Sequence, residues 1–196
     1  APGGTGMSPW HMMNEWGMPP VELHSLLYKY ASFLHQKGKY VPALEVAGGF
    51  TFEDHIFKAL ALGAPFVKLV GMARGPIAAA MVGKTIGKTI EVNQVPVYVE
   101  RFGNSKDEIF VTAGELRHEL GDKEFESLPT GAIGLYTYYH RIAQGLRQIM
   151  CGSRKFSLDK ISRNDIAAIT KEAAEISGIK YVMDVDSEKV EEILSS

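Results

Sequence analysis

The sequence predicts an α/β fold, and within that class the C-terminal part of a (β/α)8 TIM barrel that holds strands 7 and 8 with their flanking helices. Two apolar runs that read as buried strands end in glycines, at residues 48–49 and 71–75, and an amphipathic stretch at 53–62 lies between them. Glycine lacks a Cβ, so backbone N–H groups can approach an anion closely. Paired glycine turns at consecutive strand ends are typical of the barrel phosphate site, which makes FMN the first candidate ligand.

The individual elements follow from hydrophobic spacing and from residues that begin or end helices. A period of 3.6 residues predicts helices, and short apolar runs bounded by glycine or proline predict strands. In chain order the predictions are a helix at 21–36, a strand at 40–47, a helix at 52–62 capped by Thr51, a strand at 65–70, a small-residue helix at 75–90, a helix at 113–120, a long helix at 131–150, a helix at 165–176 capped by Ser162, a strand at 180–185 and a helix at 187–194.

The domain organisation is predicted from the same pattern. Residues 1–90 form the C-terminal barrel segment with the FMN phosphate cradle, and residues 91–128 form an insertion. Residues 129–196 form the closing helix and the C-terminal tail of the same domain. The insertion is rich in charge at 104–108 and 122–126, and a barrel core has no room for such groups, so these stretches must face water or a partner.

The composition limits which classes of protein this chain can belong to. The 196 residues are 45% hydrophobic with a net charge of −2, which gives no indication of a nucleic-acid or membrane-surface partner. Cys151 is the single cysteine, which excludes an internal disulfide framework and a cysteine-rich metal site, so no metal is predicted. A cysteine-poor chain favours the reducing cytoplasm. No apolar run approaches the roughly 20 residues of a membrane span.

The amino end leads us to expect the carboxyl part of a longer protein. The chain has no initiator methionine and opens inside a glycine loop. Two barrel strands alone leave strand edges unpaired. We therefore expect the chain to be ordered only with other polypeptide, either a missing N-terminal barrel half or another subunit, including a second copy in a homo-oligomer.

The predicted phosphate cradle consists mainly of backbone N–H groups. They come from the ends of the two strands, at Gly48, Gly49, Gly71, Met72 and Ala73. A helix amino end that follows such a turn favours an anion, although a plain tight turn explains the same glycines.

The next residue, Arg74, has two interpretations. Its planar guanidinium is well shaped to pair with a phosphate. Alternatively it forms a surface salt bridge with Glu53 or Asp54. The histidines His24, His35, His55, His118 and His140 are scattered without ligand spacing, and no role is predicted for them.

Three segments resemble a known family. Residues 3–9, Gly-Gly-Thr-Gly-Met-Ser-Pro, resemble a loop of the FMN-binding domain of glutamate synthase. Residues 47–75 resemble that family's seventh strand, seventh helix and eighth strand, and residues 147–166 resemble the closing helix and turn shared by FMN barrels.

The resemblance implies that Gly3, Gly4 and Thr5 lie near the flavin, with Thr5 donating to a ribityl or phosphate oxygen. A glycine turn that serves backbone shape alone is the alternative. It also implies an FMN-dependent oxidoreductase related to glutamate synthase that acts on a small-molecule substrate.

Two departures from the family limit what the resemblance implies. The family carries a cysteine cluster for an iron–sulfur centre after its eighth strand, whereas residues 76–88 contain no cysteine. The family's catalytic lysine, glutamate and glutamine lie upstream of the glycine loop, so no catalytic residue is assigned in this chain. The alternative is a non-catalytic phosphate-ligand-binding module or a structural barrel remnant.

Overall fold

The structure, a computed structural model, describes residues 17–195, which are mostly helical. The elements in chain order are α1 (Pro20–Gln36), β1 (Leu44–Ala47), α2 (Glu53–Gly63), β2 (Val67–Gly71), α3 (Arg74–Glu91), α4 (Val97–Glu100), α5 (Lys106–Ile109), α6 (Ala113–Leu120), α7 (Asp122–Ser127), α8 (Thr130–Gly152), α9 (Lys171–Ser177) and α10 (Ser187–Ser195), with 3-10 turns at Leu158–Lys160, Arg163–Asp165 and Val182–Asp184.

The predicted fold class is wrong. Within residues 17–195 the structure has one sheet, and that sheet has two strands, β1 and β2. The C-terminal part of a TIM barrel needs more strands than this, because a barrel closes only when each strand pairs on both sides. The remaining apolar segments have helical spacing and fold as helices, so the class is mostly helical with a small parallel sheet.

The described residues divide into two compact units, the first comprising residues 17–71 and 146–195 and the second residues 72–145. In the first unit β1 and β2 run parallel, with Ala47 opposite Gly71. Val46 and Val67 are 2% and 6% exposed and pack with Ala59 of α2. Because the ends of parallel strands lie at one edge, Gly71 at the end of β2 lies beside the start of the loop that follows β1.

The rest of the first unit packs on α2, and one arginine contacts three of its elements. Phe57 and Ala61 of α2 form a cluster with Met150 and Ile161. Arg163 donates hydrogen bonds to the carbonyls of Leu62 and Ser177. Its guanidinium also lies 3.8 Å from the centre of the Tyr28 ring of α1. Arg163 therefore joins the ends of α2 and α9 to α1.

In the second unit, α3 packs closely on the start of α8. A Cβ built at Gly83 would lie 2.7 Å from the carbonyl oxygen of Thr130 and 3.1 Å from the Cα of Gly134. Both neighbours are backbone atoms, so only glycine fits at this crossing without a shift.

The core of the second unit comes largely from the segment predicted as an insertion. Phe110, Ala113, Leu116 and Phe125 cluster with Ile133 of α8. Asp122, Glu124 and Glu126 beside Phe125 are exposed, which agrees with the prediction that this charged stretch faces water. The cations over the Phe125 ring, Lys106 and Arg117, are half-buried. Arg117 bonds Asp107, Asp122 and Glu126 at 2.8–2.9 Å.

The carboxyl segment differs from the prediction in two places. The predicted strand at 180–185 forms the 3-10 turn Val182–Asp184, and only Tyr181 makes a bridge, to Ala168. Ser162 caps the 3-10 turn Arg163–Asp165 in a capping box, and Thr170 caps α9 by accepting from the N–H of Ala173. The predicted helix at 165–176 is therefore shorter than expected, because it begins only at Lys171, and Ser162 caps the separate turn before it.

Candidate functional site

The loop after β1 has the backbone shape that the glycine turn predicts. Gly48 and Gly49 have φ values of 152° and 80°, which side-chain-bearing residues rarely adopt. The hydroxyl of Thr51 donates to the carbonyl of Gly49 at 3.2 Å, which holds the turn closed. Gly49 is exposed, so its backbone is open to a ligand.

The loop leads directly into α2, whose first two turns carry charges of both signs. Phe52 is the N-cap residue, one position later than predicted, and has no side-chain capping bond. Glu53 and Asp54 lie in the first turn, where carboxylates oppose a bound anion. The ammonium of Lys58 lies 2.6 Å from Asp54 and, as the main cause, lowers the pKa of that carboxyl. The Lys58–Asp54 pair offsets one of the two charges.

His55 is oriented by the same loop. The backbone N–H of Thr51 donates to Nδ1 of His55 at 3.3 Å. An acceptor at Nδ1 places the ring proton of the neutral imidazole on Nε2, which makes Nε2 a hydrogen-bond donor. The Phe52 ring packs edge-on against His55, with centroids 5.5 Å apart.

A cavity of about 250 Å³ lies at this loop. Its lining combines the two loop glycines, three side chains that can donate hydrogen bonds, and apolar walls. These residues are Gly48, Gly49, His24, His55, Lys58, Pro20, Val21, Phe50, Ala59 and Leu62. The lining includes no carboxylate, so the side-chain donors suit the oxygens of an anion. A volume somewhat below the roughly 300 Å³ lower end of small-molecule pockets suits a phosphate group with its neighbouring atoms.

His24 is the most unusual side chain of the cavity. It lies on α1, is 3% exposed, and contacts Phe50 with ring centroids 5.6 Å apart. Its Nε2 is buried and has no hydrogen-bond partner within residues 17–195. Among the described residues, no other buried side-chain nitrogen or oxygen atom lacks a partner. Burial lowers the pKa of His24, so the ring is neutral near pH 7. Buried polar groups are normally paired, so this nitrogen needs an explanation.

A larger concave surface in the second unit is less suited to a specific ligand. Its volume is about 830 Å³, and it is lined by charges of both signs, among them Lys84, Lys88 and Glu91. Lys106 on its wall pairs with Glu126 at 2.6 Å. Within the described part of the chain, no buried side-chain polar atom without a partner lies there. The smaller cavity is therefore the candidate functional site.

The other predicted site residues lie in different places. Gly71 ends β2 opposite Ala47, so the structure brings it to the same sheet edge as Gly48 and Gly49. Arg74 is exposed and begins α3, and with Met72 and Ala73 it belongs to the second unit. Gly3, Gly4 and Thr5 lie outside the described residues. In residues 17–195 no group of three or more His, Cys, Asp or Glu side chains could hold a metal ion.

The sequence interpretation missed His24, His55 and Lys58. A local signal existed for two of them, because His55 and Lys58 are three residues apart on one face of the helix that follows the glycine turn. No local signal marks His24, which reaches the cavity through a tertiary contact with Phe50.

Comparisons of the chain with known protein families, with curated proteins and with solved structures found no match. Among the described helices, none has the length and apolar character needed to cross a membrane.

Proposed function

We propose that this chain is a segment of an FMN-dependent oxidoreductase related to glutamate synthase, and that the loop after β1 binds the FMN phosphate. The observation that carries the proposal is the Gly48–Gly49 turn, which ends a parallel strand and opens onto a cavity lined by side-chain donors. The resemblance of residues 3–9 to the glutamate synthase loop supplies the identity of the ligand.

The donor set fits a phosphate. Backbone N–H groups of Gly48 and Gly49 have no Cβ beside them, and His24, His55 and Lys58 add side-chain donors. Hydrogen bonds to a charged group are worth roughly 1.5–3 kcal/mol each. A few such bonds outweigh the repulsion from the half-buried Glu53 carboxylate, because water still reaches that carboxylate and screens its charge.

In this proposal FMN and the residues of the chain have different roles. FMN, when bound, supplies the redox chemistry for a small-molecule substrate. The described residues around the cavity hold and orient the phosphate end. Roles for Gly71, Met72, Ala73 and Arg74 at the phosphate, and for Gly3, Gly4 and Thr5 near the flavin, stay predictions from the sequence.

One observation favours a second candidate, a non-catalytic module that binds a phosphorylated ligand. The cavity of about 250 Å³ accommodates a phosphate group without a flavin ring. The two candidates differ in redox chemistry. Reduction of protein-bound FMN by NAD(P)H or an amino-acid donor supports the oxidoreductase, and binding without reduction by any donor supports the module.

We also propose that further polypeptide covers the sheet, either another subunit or a second copy of this chain. Among the described residues, β1 and β2 pair only with each other. Leu69 of β2 is 60% exposed. Parallel sheets are normally buried on both faces, so a bare two-stranded one favours a partner. Sedimentation equilibrium tests the second-copy form, which predicts a dimer or larger assembly. The single cysteine supports a cytoplasmic setting for that assembly.

The phosphate proposal is tested by comparing FMN with riboflavin, which lacks the phosphate. We expect the chain to bind FMN at least about tenfold more tightly than riboflavin, because one charge-assisted hydrogen bond already accounts for that factor. Gly49→Val should abolish the difference. Equal affinity for both flavins, or no binding of either, contradicts the proposal.

A matched control is available in the second unit. Gly121 has φ 81°, almost the same as Gly49 at 80°, and a Cβ built there would meet nothing within 4 Å. Gly121→Val therefore places a valine at the same positive φ without touching the cavity lining. We expect this variant to retain the preference for FMN, which separates loss of the phosphate site from general destabilisation.

A further inference from the structure

His24 is buried in a way that packing alone does not explain. Its ring packs on Phe50, the residue that follows the glycine turn, and it lines the same cavity as Gly48 and Gly49. Its Nε2 has no hydrogen-bond partner among the described residues. A phenylalanine would make the same ring contact without burying an unpaired nitrogen.

The unpaired nitrogen costs stability in the absence of a ligand. A buried donor or acceptor left without a partner has given up its hydrogen bonds to water and gained none in return. A ligand atom of matching chemistry would recover that energy. The partner is expected to accept a hydrogen bond, because the neighbouring His55 and Lys58 are donors and no lining residue is a carboxylate. Lys58 already pairs with Asp54 outside the lining, and its ammonium has three N–H groups, so it can donate to a ligand as well.

We propose that His24 is a ligand-binding residue whose Nε2–H donates a hydrogen bond to a phosphate oxygen seated in the cavity at Gly48 and Gly49. This inference rests on the proposed function, and it adds a side chain from α1 to a site otherwise built from the β1–α2 loop. A neutral imidazole donates to phosphate without placing a charge in the apolar wall, which agrees with the lowered pKa of His24.

The test uses the full 196-residue chain and two probes, FMN and inorganic phosphate, in calorimetric titrations. His24→Phe keeps the ring contact and removes the donor. We expect it to weaken FMN binding roughly tenfold to a hundredfold, the loss of one hydrogen bond to a charged group. We also expect its unliganded thermal midpoint to stay equal or rise, because the unpaired nitrogen is gone. His24→Gln, which restores an N–H donor, should recover part of the affinity.

The outcomes separate this inference from the proposed function. If the wild-type chain binds FMN and His24→Phe binds equally well, His24 is a structural residue and the inference is wrong, while the proposed function stands. If the wild-type chain binds neither probe, the proposed function fails and the inference fails with it. If His24→Phe lowers both the FMN affinity and the unliganded thermal midpoint, and His24→Gln recovers neither, His24 has only a structural role and the inference is wrong.

A second measurement needs no variant. The 15N resonances of the His24 side chain report the state of Nε2 directly. We expect them to shift as inorganic phosphate saturates the chain, together with the amide of Gly49. A shift at the Gly49 amide with no change at His24 Nε2 overturns the inference and leaves the phosphate site in place.

Discussion

Replacing Gly83 with alanine tests the close packing of α3 on α8 in the second unit. A Cβ at this position would lie 2.7 Å from the carbonyl oxygen of Thr130, 3.1 Å from the Cα of Gly134 and 3.3 Å from the Cα of Gly131. All three neighbours are backbone atoms of α8, so none can turn away as a side chain would. The two helices must separate to accept one methyl group.

The expected magnitude combines two opposing terms. Alanine is more favourable than glycine in a helix interior by about 1 kcal/mol. Overpacking a close contact costs roughly 1–3 kcal/mol, and the two shortest distances place Gly83→Ala in the upper part of that range. The net expectation is a loss of about 1–2 kcal/mol in the free energy of unfolding.

The control is Gly114→Ala in α6 of the same unit. Gly114 is exposed, and a Cβ there would meet nothing within 4 Å. Only the helix propensity changes, so the variant should gain about 0.5 kcal/mol near the helix end. Urea denaturation followed by helical circular dichroism gives both values. A Gly83→Ala variant as stable as the wild type, or more stable, refutes the close crossing of α3 and α8.

Three further predictions concern the first unit. Arg163→Met removes the guanidinium, and with it two hydrogen bonds to backbone carbonyls and the contact with the Tyr28 ring, so urea unfolding should show a loss of about 2–4 kcal/mol; an unchanged urea midpoint would show that these contacts do not stabilise the fold. Thr170→Ala should lose about 1 kcal/mol by removing the cap of α9, whereas Thr170→Ser keeps it. Burial lowers the pKa of His24 in the folded state, so as pH falls through the ordinary histidine pKa near 6.5 the unfolded chain binds the proton first. The free energy of unfolding should therefore fall below that pH, with a slope of at most about 1.4 kcal/mol per pH unit. Urea midpoints measured from pH 7 to pH 5 should fall less in His24→Phe than in the wild type.

The elements best predicted from the sequence are those whose signal is local. Period and small-residue content indicated α1, α3 and α8, and the structure confirms each within one or two residues at the ends. The two strands were also predicted, although β1 is shorter than expected. The ends of a strand depend on where its partner strand ends. Because β2 is only five residues long, β1 is paired only over Leu44–Ala47.

The fold class could not be predicted because it depends on how many strands pair, and that is a tertiary property. The segment at 180–185 has strand-like residues, yet only one bridge forms there, so the chain turns into a 3-10 segment. Of the short helices α4 to α7, only α6 is predicted from the sequence, at 113–120. The other three have four to six residues, too few to show a helical period. They are held by tertiary contacts, such as the Arg117 guanidinium 4.3 Å from the Phe125 ring centre.

Only part of the candidate site could be predicted from the sequence, because only part of it is formed by residues that are close together in the chain. Gly48 and Gly49 carry their signal locally, since the turn needs positive φ. His24 lies 24 residues before Gly48 in the sequence, and only the packing of α1 against Phe50 brings it to the cavity.

The central claim is that the Gly48–Gly49 turn binds phosphate, and the most direct measurement is a titration of the 15N-labelled chain with FMN followed by amide resonances. The account predicts that the Gly48 and Gly49 amides shift and saturate with FMN, that inorganic phosphate moves the same two amides, and that riboflavin moves them far less. Saturable FMN binding with both glycine amides unmoved would contradict it, as would equal shifts from riboflavin.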